Sequence, residues 1–226
     1  MKNILTPLLS QNNFTLSPSL LDQVQIYLEL IQEWNQHINL TAHRTVEEMI
    51  EKDILDCLYL NMYIKTYIKE VNNVLDMGAG AGFQGIILKL MNSTWNVSFL
   101  EANRKKMNFI REACRKLGFV GAYGHTPLQF HQIRAESNPS ALHEKFDLIV
   151  SRATWGQMDF LKNAHYYVQN KGWIVWMAGP GEKILSGDFY TQNNLLTHNK
   201  ILYTIEPKKY QRQFFFFQKL FHVEQA

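Results

Sequence analysis

The stretch Val74-Leu75-Asp76-Met77-Gly78-Ala79-Gly80-Ala81-Gly82-Phe83 has the spacing with the clearest chemical meaning in this chain. An apolar run ends in a carboxylate, and glycine then recurs at every second position. Glycine adopts positive φ without strain and has no Cβ to block a ligand. A turn of this kind, leading into a helix, aims backbone N–H groups at a bound molecule. Asp76 adds negative charge, which suits a ligand with a cationic group and repels a pyrophosphate. The dinucleotide fingerprint Gly-x-Gly-x-x-Gly needs glycine three positions after Gly80, where this chain has Phe83. Glu101 ends the next apolar run, about twenty positions further on, where an acidic side chain can accept hydrogen bonds from ribose hydroxyls. The competing reading of Glu101 is a solvated carboxylate at the start of the helix near Arg104.

Little else in the chain points to a reactive centre. Cys57 and Cys114 lie far apart, without Cys-x-x-Cys spacing, so buried free thiols are expected rather than a disulfide or a zinc site. The eight histidines show no metal-ligand spacing, and no metal is expected; His125 and His131 read as ordinary loop positions. Ser151 has no obvious histidine partner, so no catalytic triad is evident. The 23 basic and 20 acidic residues nearly cancel, leaving a formal net charge of +3, so any nucleic-acid surface must be local. No run approaches the roughly 18 apolar residues of a membrane span, and residues 1–11 do not read as a signal peptide. A soluble, cytoplasmic protein is expected.

The elements that must position the glycine turn follow from periodicity. Ser17 and Pro18 look like an N-cap and first helical position, followed by an apolar helical stripe from Leu20 to Trp34. Thr45 and Glu48 are spaced as a capping box. Residues 1–68 therefore read as a helical cap, and 69–226 as a separate α/β unit. In that unit strands are expected at Asn73–Met77, Asn96–Glu101, Gly121–Tyr123, Phe146–Ser151 and Trp173–Met177. Helices are expected at Gln84–Met91, Arg104–Leu117 and Gln157–Gln169. This alternation implies a parallel sheet covered on both faces, with ligands at the carboxyl edge. Ile201–Ile205 and Gln213–Lys219 read as an antiparallel hairpin closing the sheet, and the four phenylalanines 214–217 as a strand buried on both faces.

Asp-x-Gly-x-Gly-x-Gly resembles the S-adenosylmethionine-binding turn of Rossmann-like class I methyltransferases, whose fold has a mostly parallel seven-stranded sheet. A narrower resemblance rests on Trp34-Asn35, Asn39-Leu40-Thr41 with Arg44, Ile54-Leu55-Asp56, and Phe146 through Ala153. Together these resemble the bacterial 16S rRNA guanine-N7 methyltransferase G family, also called glucose-inhibited division protein B, from about Tyr27 to Lys219. The resemblance implies S-adenosylmethionine as cofactor and 16S rRNA, or the small-subunit particle, as partner. It implies methyl transfer to N7 of a guanosine near the decoding centre, at the position-527-type site. Carried over by position, the cofactor would touch Gly78, Phe83, Pro127, Leu128 and Arg152, beside Asp76, Gly80, Gly82 and Glu101 of the turn reading. Arg152 would serve cofactor and RNA together as the catalytic residue. Arg44, Lys52, Lys105 and Lys106 are candidate phosphate contacts, with a solvated helix face as the alternative for the last two.

Three positions depart from the family pattern. Its Arg–small–Glu run after the third strand falls on His125-Thr126-Pro127-Leu128, its lysine after the fifth strand on Ala178, and a histidine before Ile54 on Asp53. Lys171 or Lys183 are possible substitutes for the lysine. These departures keep two further readings in view: a homologue that binds RNA or ribosomes without methylating them, and a small-molecule methyltransferase. Trp34 is read as core packing rather than base stacking, while Asn35 and Asn39 either knit the cap to the sheet or reach RNA. Gly78→Asp is expected to abolish S-adenosylmethionine binding, because it brings a side chain and a second negative charge into the turn. Calorimetric titration checks this, and retained affinity would refute the placement of the site.

Overall fold

In the computed structural model, residues 1–119, 128–152, 156–184 and 189–220 are described. The seven strands are β1 (Asn73–Met77), β2 (Asn96–Leu100), β3 (Gln129–His131), β4 (Phe146–Arg152), β5 (Val168–Ala178), β6 (Leu195–Ile205) and β7 (Tyr210–Lys219). They form one sheet in the order β3-β2-β1-β4-β5-β7-β6. The first five pair in parallel, and β7 is antiparallel to both β5 and β6. Strand order reverses between β1 and β4, so the crevice at their carboxyl ends is where such a sheet takes a ligand.

Sequence alternation sorts the core onto two faces. Val74, Val97, Phe99, Val150, Phe214 and Phe216 lie in one apolar cluster, and Leu75, Leu100, Ile149, Phe215 and Phe217 in the other. Phe214 to Phe217 are all fully buried, as a strand packed on both sides requires. Over the first face lie α2 (Pro18–Trp34), α4 (Leu55–Tyr67), α5 (Phe83–Met91) and α6 (Arg104–Lys116); α7 (Gln157–Tyr167) lies over the second. The amino-terminal helices share that first cluster: Leu5 and Leu9 of α1 (Lys2–Gln11), Tyr27 and Ile54 are buried in it together with strand residues.

Local signals set the ends of these helices. The Ser17 hydroxyl accepts from the Leu20 N–H, with Pro18 in the first turn. Both hydrogen bonds of the Thr45–Glu48 capping box form at the start of α3 (Val46–Met49). Between α3 and α4 the chain widens into a π turn at Ile50–Ile54. Asn12 bonds the backbone N–H and C=O of Glu206, tying the end of α1 to the end of β6.

Several boundaries differ from expectation. The expected strand Gly121–Tyr123 lies outside the described residues, and the strand pairing with the outer edge of β2 is Gln129–His131. The hairpin strands are longer than expected because pairing runs from Leu195↔Lys219 to Ile205↔Tyr210. Helix α7 stops at Tyr167 because β5 begins at the next residue.

Helix α5 lies so close to β2 that a Cβ on Gly85 would stand 2.3 Å from the Phe99 ring. That ring is fully buried and stacks on Phe130. The clash outweighs the helix-propensity gain of about 1 kcal/mol, so Gly85→Ala is expected to destabilise the fold by about 1–2 kcal/mol. Urea unfolding checks this, and an unchanged midpoint would contradict the packing described.

Candidate functional site

The glycine turn is built as its spacing requires. Gly78, Gly80 and Gly82 have φ of 71°, 60° and 81°, all in the left-handed region that side chains disfavour. The N–H groups of Gly78 and Ala79 both donate to the Leu100 carbonyl, at 2.8 and 3.0 Å, which folds the turn back over the end of β2. The Gly80 N–H donates to Glu101 Oε2 at 2.8 Å, and the Asn103 N–H donates to Glu101 Oε1 at the same distance. Glu101 thus braces the turn and the entry to α6 at once, while Asn103 is the side-chain cap of that helix. From above, the fully buried Tyr27 donates its hydroxyl to the Ala81 carbonyl at 2.8 Å and packs edge-on against Phe83.

Asp76 is placed beneath the turn rather than in the cleft. It is 1% exposed, and its Oδ2 accepts from the Gly85 N–H at 2.8 Å. Burial pushes its carboxyl up to about 7, against the opposing pull of the Gly85 N–H and Arg152. Among the described residues its Oδ1 has no hydrogen-bond partner, nor has Nε2 of the buried Gln84.

A cleft of about 250 Å³ runs along the turn, lined by Gly78, Gly80, Phe83, Glu101, Lys106 and Arg152, with Leu40 and Thr41 reaching over it. Asn35 shapes that overhang. Its Oδ1 accepts from the N–H groups of Leu40 and Thr41, and its Nδ2 donates to the Thr41 carbonyl. A smaller hollow of about 160 Å³ continues past Gly78 and Glu101 to Ile133, Ala135 and Glu136.

Of the expected cofactor contacts Pro127 and Leu128, one falls among the described residues. Pro127 lies outside the described residues. Leu128 precedes β3, so it stands toward the amino end of a parallel strand, away from the cleft. The residues after the third strand are Arg134-Ala135-Glu136, so the Arg–small–Glu run is present there and not missing. The three-residue β3 is polar at two of its positions and gives almost no periodic signal.

Arg152 ends β4 and stands between this cleft and a larger cavity of about 620 Å³, lining both. Its guanidinium donates to the Lys52 carbonyl at 2.7 Å, to Asp53, and weakly to Asp56 at 3.4 Å, and it lies 5.6 Å over the Phe83 ring. Burial alone would weaken its charge, but the Asp53 and Asp56 carboxylates outweigh that and hold its pKa above the ordinary arginine value. His43 closes the network with its Nδ1 2.7 Å from Asp53 Oδ2, so an imidazole reaches this point from the preceding loop. Asp56 is 2% exposed; burial raises its pKa, opposed by Arg152 and by the Tyr203 hydroxyl that donates to it.

The larger cavity contains a residue that sequence reasoning missed. Ala178, at the end of β5, lies opposite Gln213 of β7, and the neighbouring Arg212 extends into the cavity wall, its Nε 3.7 Å from Asp56 Oδ1. Of the two lysines considered as substitutes, Lys171 stands at the other end of β5 and Lys183 is exposed outside the cavity. Arg212 is thus a basic group of the cavity that Ala178 lines, together with Lys52 and Arg152. Of the expected phosphate contacts, Lys52 lines the larger cavity and Lys106 the cleft, while Arg44 and Lys105 are exposed. Trp34 packs edge-on against Phe109. Among the described residues no group of three or more His, Cys, Asp or Glu could hold a metal, and no helix is long and apolar enough to cross a membrane.

A family model described as rRNA small subunit methyltransferase G matches residues 20–212. A protein of that name from Lachnoclostridium phytofermentans is 37% identical over 158 residues, covering 69% of this chain and 62% of its own. One from Clostridium botulinum is 33% identical over 167 residues, covering 72% and 66%, so the chain spans just under two thirds of these two relatives. One from Nitrosococcus oceani is 34% identical, covering 70% and 71%. Two solved structures share the fold. Magnesium protoporphyrin IX methyltransferase from Synechocystis PCC 6803 with bound SAM has a TM-score of 0.56 at 12% identity, covering 85% of this chain and 97% of that one. A putative RNA methyltransferase from Pyrococcus horikoshii has a TM-score of 0.55 at 14% identity, covering 88% and 98%. The fold is the Rossmann-like class I methyltransferase fold.

Asp76 carries a pH signature. The folded protein holds a proton there that an unfolded chain releases near 3.8, so this carboxyl's contribution to stability falls as pH rises from about 4 to about 7 and is level above. Asp76→Asn removes the charge and keeps an acceptor for Gly85. Its stability relative to wild type is expected to grow across that window, by an amount on the order of a few kcal/mol, and then to plateau. Urea unfolding at stepped pH checks this; a pH-independent difference would contradict it.

Proposed function

The chain belongs to the rRNA small subunit methyltransferase G family, and from that membership we propose that it transfers a methyl group from S-adenosylmethionine to N7 of a guanosine in 16S rRNA. The observation that carries this reading is the pair of cavities meeting at Arg152, one along the glycine turn and one beyond it. The donor fits the first. The positive-φ glycines leave the turn bare, Glu101 lines the cleft as an acceptor that ribose hydroxyls could use, and Phe83 supplies an apolar wall. Asp76 Oδ1 and Gln84 Nε2 are buried polar atoms beside the turn with unused hydrogen-bonding capacity among the described residues. The hollow between Glu101 and Ala135–Glu136 gives the same ligand room for its base.

S-adenosylmethionine supplies a methyl group activated by a positively charged sulfur. Guanine N7 already carries an exposed lone pair and loses no proton before attack, so the chain needs no general base. Its task is alignment and exclusion of water. Arg152 serves this by being held fixed: its donors are committed to Asp53, Asp56 and the Lys52 carbonyl, so it is a rigid wall between donor and acceptor. Lys52, which lines the larger cavity, Lys106, which lines the cleft, and the exposed Arg44 and Lys105 are cations that would meet RNA phosphates. In this reading residues 1–68 are the cap over the catalytic sheet, and the substrate is 16S rRNA or the small-subunit particle, at the decoding-centre guanosine that the family resemblance implies. The Arg134-Ala135-Glu136 run and Arg212 remove two of the grounds for a degenerate, non-methylating homologue.

The direct test is chemical detection of 7-methylguanosine in 16S rRNA from cells with and without the protein. Its loss on deletion is expected; its persistence would overturn the reading. Arg152→Ala would strand two buried carboxylates and cost about 3–5 kcal/mol, so Arg152→Lys is the informative variant. It keeps the charge and loses the planar fork. Turnover is expected to fall on the order of 100-fold with the circular dichroism of wild type, and wild-type turnover would remove Arg152 from the mechanism.

A further inference from the structure

Helix α6 concentrates the positive charge of this chain. It holds six of the 23 basic residues and one of the 20 acidic ones, so the other 213 residues carry 17 basic and 19 acidic side chains. Its inner side is buried through Met107, Phe109, Ile110, Ala113 and Cys114. Arg104, Asn108, Arg111 and Arg115, spaced four, three and four apart, share one outward face and are all exposed. Lys105 and Lys116 are exposed beside that face. At the rise of an α-helix the row from Arg104 to Arg115 is about 16 Å long. The helix leads away from the donor cleft. It starts three residues after Glu101, and its Lys106 lines the cleft. Because β3 is parallel to β2, α6 carries the chain back toward the amino edge of the sheet. Arg111 stands 5.6 Å over the Phe130 ring of β3, the outermost strand on that side.

Helix stability does not account for this charge. Arg104, Lys105 and Lys106 fill the first turn with no acidic residue among them, where the helix macrodipole disfavours cations. Arg111 and Arg115 are four apart, a like-charged pair that weakens a helix. Pairing within the helix absorbs little of the excess. Arg115 donates to Glu112 at 2.8 and 2.7 Å, which uses two of its five N–H donors. Among the described residues Arg104, Lys105, Lys106, Arg111 and Lys116 make no ion pair. Between α6 and α2 runs a groove of about 530 Å³, with Arg111, Arg115 and Lys116 on one wall and Leu30, Glu33 and Trp34 on the other. Glu33 repels an anion from the α2 wall, which leaves it to the α6 side. We propose that the exposed face of α6 is a track for the phosphate backbone of 16S rRNA, leading from the donor cleft toward the outer edge of the sheet. The inference rests on the methyltransferase reading, which supplies the RNA, and adds the surface that holds its backbone beyond the two cavities. A row of fixed cations of this kind binds phosphates without reading sequence.

The test compares the full-length protein with two triple variants that lose the same charge. One is Arg111→Gln, Arg115→Gln and Lys116→Gln on α6. The control is Lys65→Gln, Lys69→Gln and Lys162→Gln, three exposed lysines away from this helix. Binding is measured over a series of salt concentrations, to protein-free 16S rRNA and to the small-subunit particle. The α6 variant is expected to bind both at least about tenfold more weakly at physiological salt, with the slope of log affinity against log salt reduced by about 2–3. The control is expected to keep the wild-type slope. In methyl transfer the α6 variant is expected to raise KM for RNA while kcat and S-adenosylhomocysteine affinity stay those of wild type. Should the triple variant fail to fold, Lys116→Glu, a reversal at an exposed and unpaired position, decides through a slope reduced by about 1 or more. An α6 variant that matches the control in affinity and slope would overturn the inference. So would a loss seen with the particle and absent with protein-free RNA, which assigns the surface to a ribosomal protein. Either result with intact wild-type RNA binding sinks this assignment alone. Wild-type protein that binds no 16S rRNA at low salt sinks the proposed function, and this inference with it.

Discussion

A guanidinium held by two buried carboxylates fastens the helical layer to the carboxyl edge of the sheet. Arg152 comes from the last position of β4, Asp53 from the π turn and Asp56 from the first turn of α4. Taking such groups out of water is costly one at a time, and the cost is offset only when all partners are present. The cluster therefore behaves as a unit: it forms when helix and strand are docked and at no earlier stage. The π turn contributes through its geometry, because its widened backbone leaves the Lys52 carbonyl to accept from Arg152. Such interruptions are frequent at functional sites, and this one lies against the wall between two cavities.

The glycine turn depends on the same docking. Its backbone is bent by three positive-φ residues and held at three points: to β2 through Leu100, to the β2 end through Glu101, and to α2 through Tyr27. Asp76 acts from below by bonding the start of α5, so one of its two oxygens positions the turn. The cleft above is thus preorganised from both the sheet and the helical layer. Preorganisation of this kind is what transfer to an already nucleophilic nitrogen requires.

Much of this was legible in the sequence because the signals were local. The cap at Ser17, the Thr45–Glu48 box, strand β1, and the alternation that buries Phe214 through Phe217 on two faces depend on residues a few positions apart. What was not legible depends on pairing at long range. Strand β3 has three residues and is defined by its register with β2, so the Arg134-Ala135-Glu136 run was displaced onto Pro127–Leu128. Arg212 was invisible because its relevance comes from Asp56, on another element, and from the register that sets Gln213 beside Ala178. Asn35 lay between the two: its spacing was noticed, but only the folded loop shows that it braces Leu40 and Thr41.

The central claim is that donor and acceptor meet across Arg152, with the donor on the bare glycine turn. A crystal structure of the protein with S-adenosylmethionine tests this most directly. The account predicts density along Gly78–Gly82, the ribose hydroxyls on Glu101, and the methyl group directed past Arg152 toward the cavity lined by Arg212 and Gln213. Donor density elsewhere on the molecule, or a methyl group directed away from that cavity, would contradict it.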